Sequence, residues 1–202
     1  MEHTETTKTT ETPGTTLQAR ETLLFVCTGN VCRSPMAQAM ATSTLERRGV
    51  PVGVLSAGTM HTGLPPMPRA EWAMRRRGLD VTGYRSRGLE EALDPPPDLI
   101  LAMCREHARA VIDLRPDLFE RTFTLKDFVR RANEEGARRR TEDLASFVDR
   151  LQLGRKPWDL RGSEPEDDIA DPIGRRRRFY ERCAAEIDGL VSSLVDMTWD
   201  LR

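Results

Sequence analysis

The chain has 202 residues, 38% of them hydrophobic and only 5% aromatic, which suits one domain with some length left outside its core. Its formal net charge of −1 gives no overall pull toward nucleic acid or an anionic membrane, and no apolar stretch approaches the roughly 20 residues of a membrane span. Residues 1–20 are rich in threonine and glutamate, read as a disordered tail, and lack the charged-then-apolar order of a secretory signal. The expectation is a cytoplasmic protein, without a nucleic-acid partner or membrane insertion.

Leu23-Leu24-Phe25-Val26 is a short continuous apolar run, as in a strand buried on both faces. It leads into Cys27-Thr28-Gly29-Asn30-Val31-Cys32-Arg33-Ser34-Pro35, where proline after serine signals a helix start, and the helix runs on toward Gly49. Val50 to Ser56 is a second strand candidate, Pro68 to Arg77 a helix stopped by Gly78, and Asp98 to Met103 a third buried strand. A helix from Arg105 to Leu114, a fourth strand between Phe119 and Leu125, and a last helix from about Arg175 to Leu194 complete the pattern. Such alternation predicts a doubly wound α/β fold, a single domain with a four-stranded parallel sheet and helices on both faces. Residues 130–168, charged and broken by Pro157 and Pro165, read as a helical insertion plus a mobile loop, without the apolar density for a core of its own.

The four cysteines, Cys27, Cys32, Cys104 and Cys183, have neither zinc spacing nor the density of a disulfide framework. No metal and no cofactor are expected, and Cys183 reads as a small buried residue. Cys27 is different, because it ends a strand and precedes a helix N-terminus. In an open parallel sheet ligands bind at that end, and the unpaired N–H groups and macrodipole of the helix favour an anion, thiolate included. A loop of this length can curl so that its N–H groups point inward and Arg33 returns to its rim, offering two parallel donors to two phosphate oxygens. The loop residues Thr28, Gly29, Asn30, Val31, Cys32, Arg33 and Ser34 are therefore the candidate phosphate cradle, beneath which Cys27 is the candidate nucleophile.

CTGNVCRSP resembles the phosphate-binding loop of the low-molecular-weight protein-tyrosine phosphatases, whose pattern is C-x-G-N-x-C-R-S-P. The likeness extends to Ser56-Ala57-Gly58-Thr59, to Arg85-Ser86-Arg87, to the DLILAM run of Asp98 to Met103 and to Asp171-Pro172. It implies a phosphocysteine formed on Cys27, phosphate binding by Arg33, a thiolate partner in Ser34, a loop brace in Asn30 and a general acid in Asp171. It also raises a reversible Cys27–Cys32 disulfide, with simple packing of Cys32 as the alternative. Asp167 and Asp168 are the rivals of Asp171 for the acid.

The expected function is cysteine-dependent, metal-independent hydrolysis of a phosphorylated protein, phosphotyrosine foremost. Three alternatives remain open. Asp171-Pro172-Ile173-Gly174 is similar to the D-P-F-G of bacterial protein-arginine phosphatases, although Val31 stands where those carry threonine. Arsenate reductases share the loop, and Cys104 lies where their first resolving cysteine falls, but no second cysteine follows closely. A non-catalytic phosphate-binding module is the last. His61 reads first as a surface loop histidine, with replacement of the aromatic wall that tyrosine-specific members carry after the second strand as the alternative. The sequence does not specify the oligomeric state.

Overall fold

The computed structural model describes residues 21–60 and 62–200; the tail at 1–20 and His61 lie outside the described residues. Four parallel strands, β1 (Glu21–Cys27), β2 (Val52–Gly58), β3 (Leu99–Ala102) and β4 (Thr122–Thr124), form one sheet in the order β2-β1-β3-β4. Alternation along β1 explains why it is apolar throughout. Leu23, Phe25 and Cys27 join one buried cluster, while Leu24 and Val26 join another on the opposite face. The first face is covered chiefly by α1 (Arg33–Arg48), α2 (Pro68–Arg75) and the long α7 (Arg177–Trp199). The second is covered by the short α3 (Leu89–Ala92) and by α4 (Arg105–Leu114). None of the described helices is long and apolar enough to cross a membrane.

The chain leaves β1 toward β2 on one side and later returns to place β3 on the other. The carboxyl end of β1 is thus a topological switch point, the place where such sheets leave a crevice for ligand. Cys27 is the last residue of that strand.

Two elements differ from their sequence expectation. The fourth strand shortens to three residues because Pro116–Arg121 winds into a 3₁₀ turn that buries Leu118 against the α4 face. The charged segment 130–168 holds helix, as expected, but that helix packs into the main core. α5 (Leu125–Glu135) and α6 (Leu144–Gln152) insert Phe128, Val129, Phe147, Val148 and Leu151 into the main core, with Phe128 edge-on to both Phe123 and Phe147. The apolar residues fall on one helical face each, so low average hydrophobicity conceals a packing stripe.

α6 also lies at the opposite end of the sheet from Cys27. Asp143, Leu144 and Val148 share a hollow of about 290 Å³ with Glu21, Asp98 and Arg121, which mark the amino ends of the strands. Arg138 reaches Glu21 through two bonds of 3.1 and 2.8 Å. From there the chain runs back up the β4 edge. Arg155 donates to the Thr122 carbonyl, Arg109 to the Gly162 carbonyl, and the Ile169 N–H to the Met103 carbonyl at 2.8 Å. The charges of this stretch are absorbed in a network: Asp127 binds Arg130 and Arg131, and Asp167 binds Arg105 and Arg130.

If α6 is part of the core, Phe147→Ala should lower the free energy of unfolding by about 3–5 kcal/mol in urea titrations. A loss below about 1 kcal/mol would mean that α6 is a peripheral flap.

Candidate active site

The loop after β1 is shaped by Asn30, the one described non-glycine residue with positive φ, at 51°. Asparagine tolerates the left-handed region better than most residues, and here its side chain holds it there. The fully buried amide donates through Nδ2 to Ser34 Oγ at 2.8 Å and to Ser56 Oγ at 3.0 Å. Its Oδ1 accepts from the Arg87 N–H at 2.8 Å and from the Tyr84 hydroxyl. Because a backbone N–H can only donate, the Arg87 contact fixes which way the amide faces.

Ser34 Oγ accepts the Asn30 hydrogen bond and lies 3.0 Å from Cys27 Sγ, which it can meet with its own hydrogen. Cys27 itself is 2% exposed, at the floor of the loop and just before the start of α1. Among the described residues, the backbone N–H groups of 29–32 donate to no protein acceptor, which leaves them available to an anion bound at the loop.

Neighbouring segments pin the loop from outside. The N–H groups of Thr59 and Met60 donate to the carbonyls of Cys27 and Thr28, each at 3.1 Å, and the Met67 N–H donates to that of Val31 at 2.9 Å. Gly58 makes this approach possible. A Cβ there would stand 2.8 Å from the Thr28 carbonyl oxygen and 2.9 Å from Asn30 Cβ. The Ser56-Ala57-Gly58-Thr59 and Arg85-Ser86-Arg87 segments of the sequence are thus the outer wall of the cradle.

Arg33 begins α1 and is nearly buried. Its Nη1 donates to the Ile169 carbonyl at 3.0 Å and its Nη2 to Asp171 Oδ2 at 2.7 Å, so the guanidinium retains further N–H groups for an anion. The Asp171 side chain is 42% exposed. Its rivals are occupied elsewhere. Burial opposes ionisation of Asp167, but hydrogen bonds from Arg130 and Arg105 outweigh it and hold the carboxyl below its usual range. Asp168 accepts from the Arg105 N–H and the Ser163 hydroxyl. The structure therefore brings Cys27, Arg33, Ser34, Asn30 and Asp171 together and leaves Asp167 and Asp168 outside.

Cys32 caps α1 with its sulfur 3.8 Å from the Tyr180 hydroxyl, and burial pushes its thiol up to about 12. Cys183 packs in the core, and all four cysteines are free thiols.

Sequence reasoning missed Tyr84, Tyr180 and His107. The only available signal for His107 was its position three residues after Cys104, at the beginning of a helix that follows a strand end. His107 is 2% exposed and bonds Thr28 Oγ1 through Nε2 at 2.8 Å and Cys104 Sγ through Nδ1 at 3.2 Å. Burial, aided by the Arg33 cation, pushes its ring down to about 4, so it is neutral at physiological pH. Burial also raises the Cys104 thiol, which stays protonated. The neutral ring thus bridges Thr28 and Cys104 through its two nitrogens.

Residues 22–140 match the family model for low molecular weight phosphotyrosine protein phosphatase. The chain belongs to this family. It is 33% identical over 176 residues to a protein-arginine-phosphatase of Geobacillus stearothermophilus, covering 86% of this chain and 93% of that protein. It is 32% identical over 140 residues to a probable low molecular weight protein-tyrosine-phosphatase of Ralstonia solanacearum, covering 68% and 93%. The crystal structure of a low molecular weight protein tyrosine phosphatase from T. tengcongensis superposes with a TM-score of 0.66 at 28% identity, over 87% of this chain and 98% of that one. The chain is accordingly a cysteine-based phosphatase with the fold of this family.

Two outcomes test the site's construction. Gly58→Ala forces the loop outward, and misplacement on this scale should lower kcat/KM on p-nitrophenyl phosphate by about 10²-fold while the chain stays folded. Activity within twofold of the wild type would show that the loop absorbs the methyl. For His107, the unfolded chain takes the proton first as pH falls below its ordinary 6.5, so stability is lost between there and about 4. The wild type should lose about 2–3 kcal/mol through this group between pH 7 and about pH 4.5, and His107→Gln should remove that part of the slope in urea titrations. An unchanged slope would assign the loss to other groups.

Proposed function

We propose that this chain hydrolyses phosphomonoesters on protein, phosphotyrosine foremost, through a phosphocysteine on Cys27 and without a metal ion. The observation that carries the reading is what one loop gathers: N–H groups at 29–32 without a protein acceptor among the described residues, the Ser34 hydroxyl 3.0 Å from Cys27 Sγ, and Arg33 joined to Asp171 at 2.7 Å. In the first step the Cys27 thiolate attacks phosphorus in line. The P–S bond forms as the P–O bond breaks, and protonated Asp171 delivers its proton to the departing phenolate oxygen. Arg33 and the N–H groups of Thr28 to Ser34 neutralise the charge spread over the equatorial oxygens. In the second step the Asp171 carboxylate takes a proton from water, whose oxygen attacks phosphorus. The P–S bond then breaks, inorganic phosphate leaves, and Ser34 with the α1 N-terminus stabilises the released thiolate. A reduced thiol nucleophile suits the cytoplasm, where thiols are kept reduced.

Phosphoarginine is a second reading. It is favoured by the Geobacillus relative and by the aliphatic mouth, where Met67 and Ile173 are exposed beside the loop and the acid. Val31, apolar at the fifth loop position, supports phosphotyrosine instead. Parallel kinetics on phosphotyrosine and phosphoarginine peptides decide between them, with the higher kcat/KM expected on phosphotyrosine.

The mechanism is tested through the leaving group. p-Nitrophenolate departs readily unaided, whereas tyrosine's phenolate needs a proton. Asp171→Asn should therefore slow phosphotyrosine hydrolysis by about 10²–10⁴-fold and p-nitrophenyl phosphate hydrolysis far less. Cys27→Ser should abolish turnover of both while vanadate still binds. An equal small effect of Asp171→Asn on both substrates would make Asp171 only a structural residue of the loop before α7.

A further inference from the structure

An exposed arginine surface borders the acid-bearing loop and has no counter-charge of its own. Arg175, Arg176, Arg177, Arg178 and Arg182 lie at the start of α7, and Arg69 in the first turn of α2 donates to the Arg175 carbonyl at 2.6 Å. All six are exposed. The nearby carboxylates are engaged with other cations: Glu181 with Arg77 at 2.9 Å, Glu186 with Lys126 at 2.6 Å, and Asp171 with Arg33. Among the described residues none of the six arginines forms an ion pair. The whole chain carries a net charge of −1, so the cluster is a local concentration and not the edge of a general surplus.

Fold stability does not account for it. α7 begins with no side-chain cap and no acidic residue in its first turn, and arginines occupy the end where the helix macrodipole disfavours cations. The side chains are nonetheless held in place. The guanidinium carbons of Arg175, Arg178 and Arg182 stand 5.8, 5.2 and 4.5 Å from the centre of the Phe179 ring, and that of Arg177 stands 5.5 Å from Trp72. Stacking engages the planar face of a guanidinium and leaves its in-plane N–H groups to meet an anion. Phe179 and Arg182 also line, with Asp171 and Pro172, a hollow of about 310 Å³. Part of the arginine cluster thus shares one hollow with the acid-bearing loop, beside the residue that meets Arg33.

We propose that this surface binds acidic residues flanking the phosphorylated residue of a protein substrate, so that the enzyme prefers phosphosites embedded in Asp- and Glu-rich sequence. The inference rests on the phosphoprotein phosphatase reading above and adds the substrate's flanking chemistry to it. Because the interaction is electrostatic and solvent-exposed, it acts mainly on capture and weakens with salt.

The test uses the full chain and two phosphotyrosine peptides of equal length, one flanked by glutamates and one by serines, with p-nitrophenyl phosphate as the substrate without flanks. At low ionic strength kcat/KM should favour the acidic peptide by about tenfold, and the ratio should shrink as salt is raised. The triple change Arg175→Gln, Arg178→Gln, Arg182→Gln should bring the ratio to within about twofold and leave p-nitrophenyl phosphate turnover unaltered. Fluorescence anisotropy with non-hydrolysable phosphonate versions of both peptides reads the same preference without turnover. Loss of all hydrolysis would thus sink the catalytic reading while the affinities still decide the surface. Equal kcat/KM and affinity for the two peptides, or a preference that survives the triple change, overturns the proposal. So does a triple variant that loses only binding to phosphatidylserine vesicles, which would make the surface a lipid one.

Discussion

The buried amide of Asn30 is the contact on which the site depends. Its two donors and its acceptor oxygen tie together α1, β2, the Arg85-Ser86-Arg87 segment and Tyr84, and they hold one residue in a backbone region that side chains generally avoid. Leaving any of these buried groups unpaired would cost about 1–3 kcal/mol, so the network is stable only when every member is in place. Its consequence is directional. With Asn30 donating to Ser34, the serine hydroxyl is held 3.0 Å from Cys27 Sγ and keeps its own hydrogen free to meet it.

That arrangement needs a rigid support, which the sheet supplies. Cys27 ends a strand hydrogen-bonded on both sides, Gly58 ends its neighbour, and the absence of a side chain at Gly58 lets the two strand ends approach the loop closely. The neutral His107 closes the side toward β3 and α4, linking Thr28 to Cys104. The candidate nucleophile is thus placed by three strands and two helices, although its loop is a single short segment of sequence.

The charged segment after α5 illustrates how composition can mislead. Its arginines and aspartates form ion pairs over a layer of phenylalanine, leucine and valine, and the Arg155 cation lies buried over the Phe123 ring at 3.8 Å. The segment anchors at the amino ends of the strands and then returns along the β4 edge to deliver Asp171 beside Arg33. Its length is explained by that path from one end of the sheet to the other.

Local chemistry made much of this legible in advance. An apolar run before a cysteine, a glycine-bearing loop, an arginine at the right spacing and a proline starting a helix are each short-range signals, and together they determined the strand-loop-helix unit, the parallel sheet and the candidate roles of Cys27 and Arg33. Asp171 was favoured in the sequence by its proline and the family likeness, with Asp167 and Asp168 as rivals. What separated them was which carboxylate met Arg33 and which were already bound by Arg105, Arg130 and Ser163, and those partners lie 60 or more residues away in most cases. Tyr84, His107 and Gly58 were likewise undecidable from sequence, because a hydroxyl, an imidazole or a missing Cβ acquires its role only from what the fold sets against it. Short-range pattern determines elements; the pairing of buried polar groups across the chain is a property of the packed structure alone.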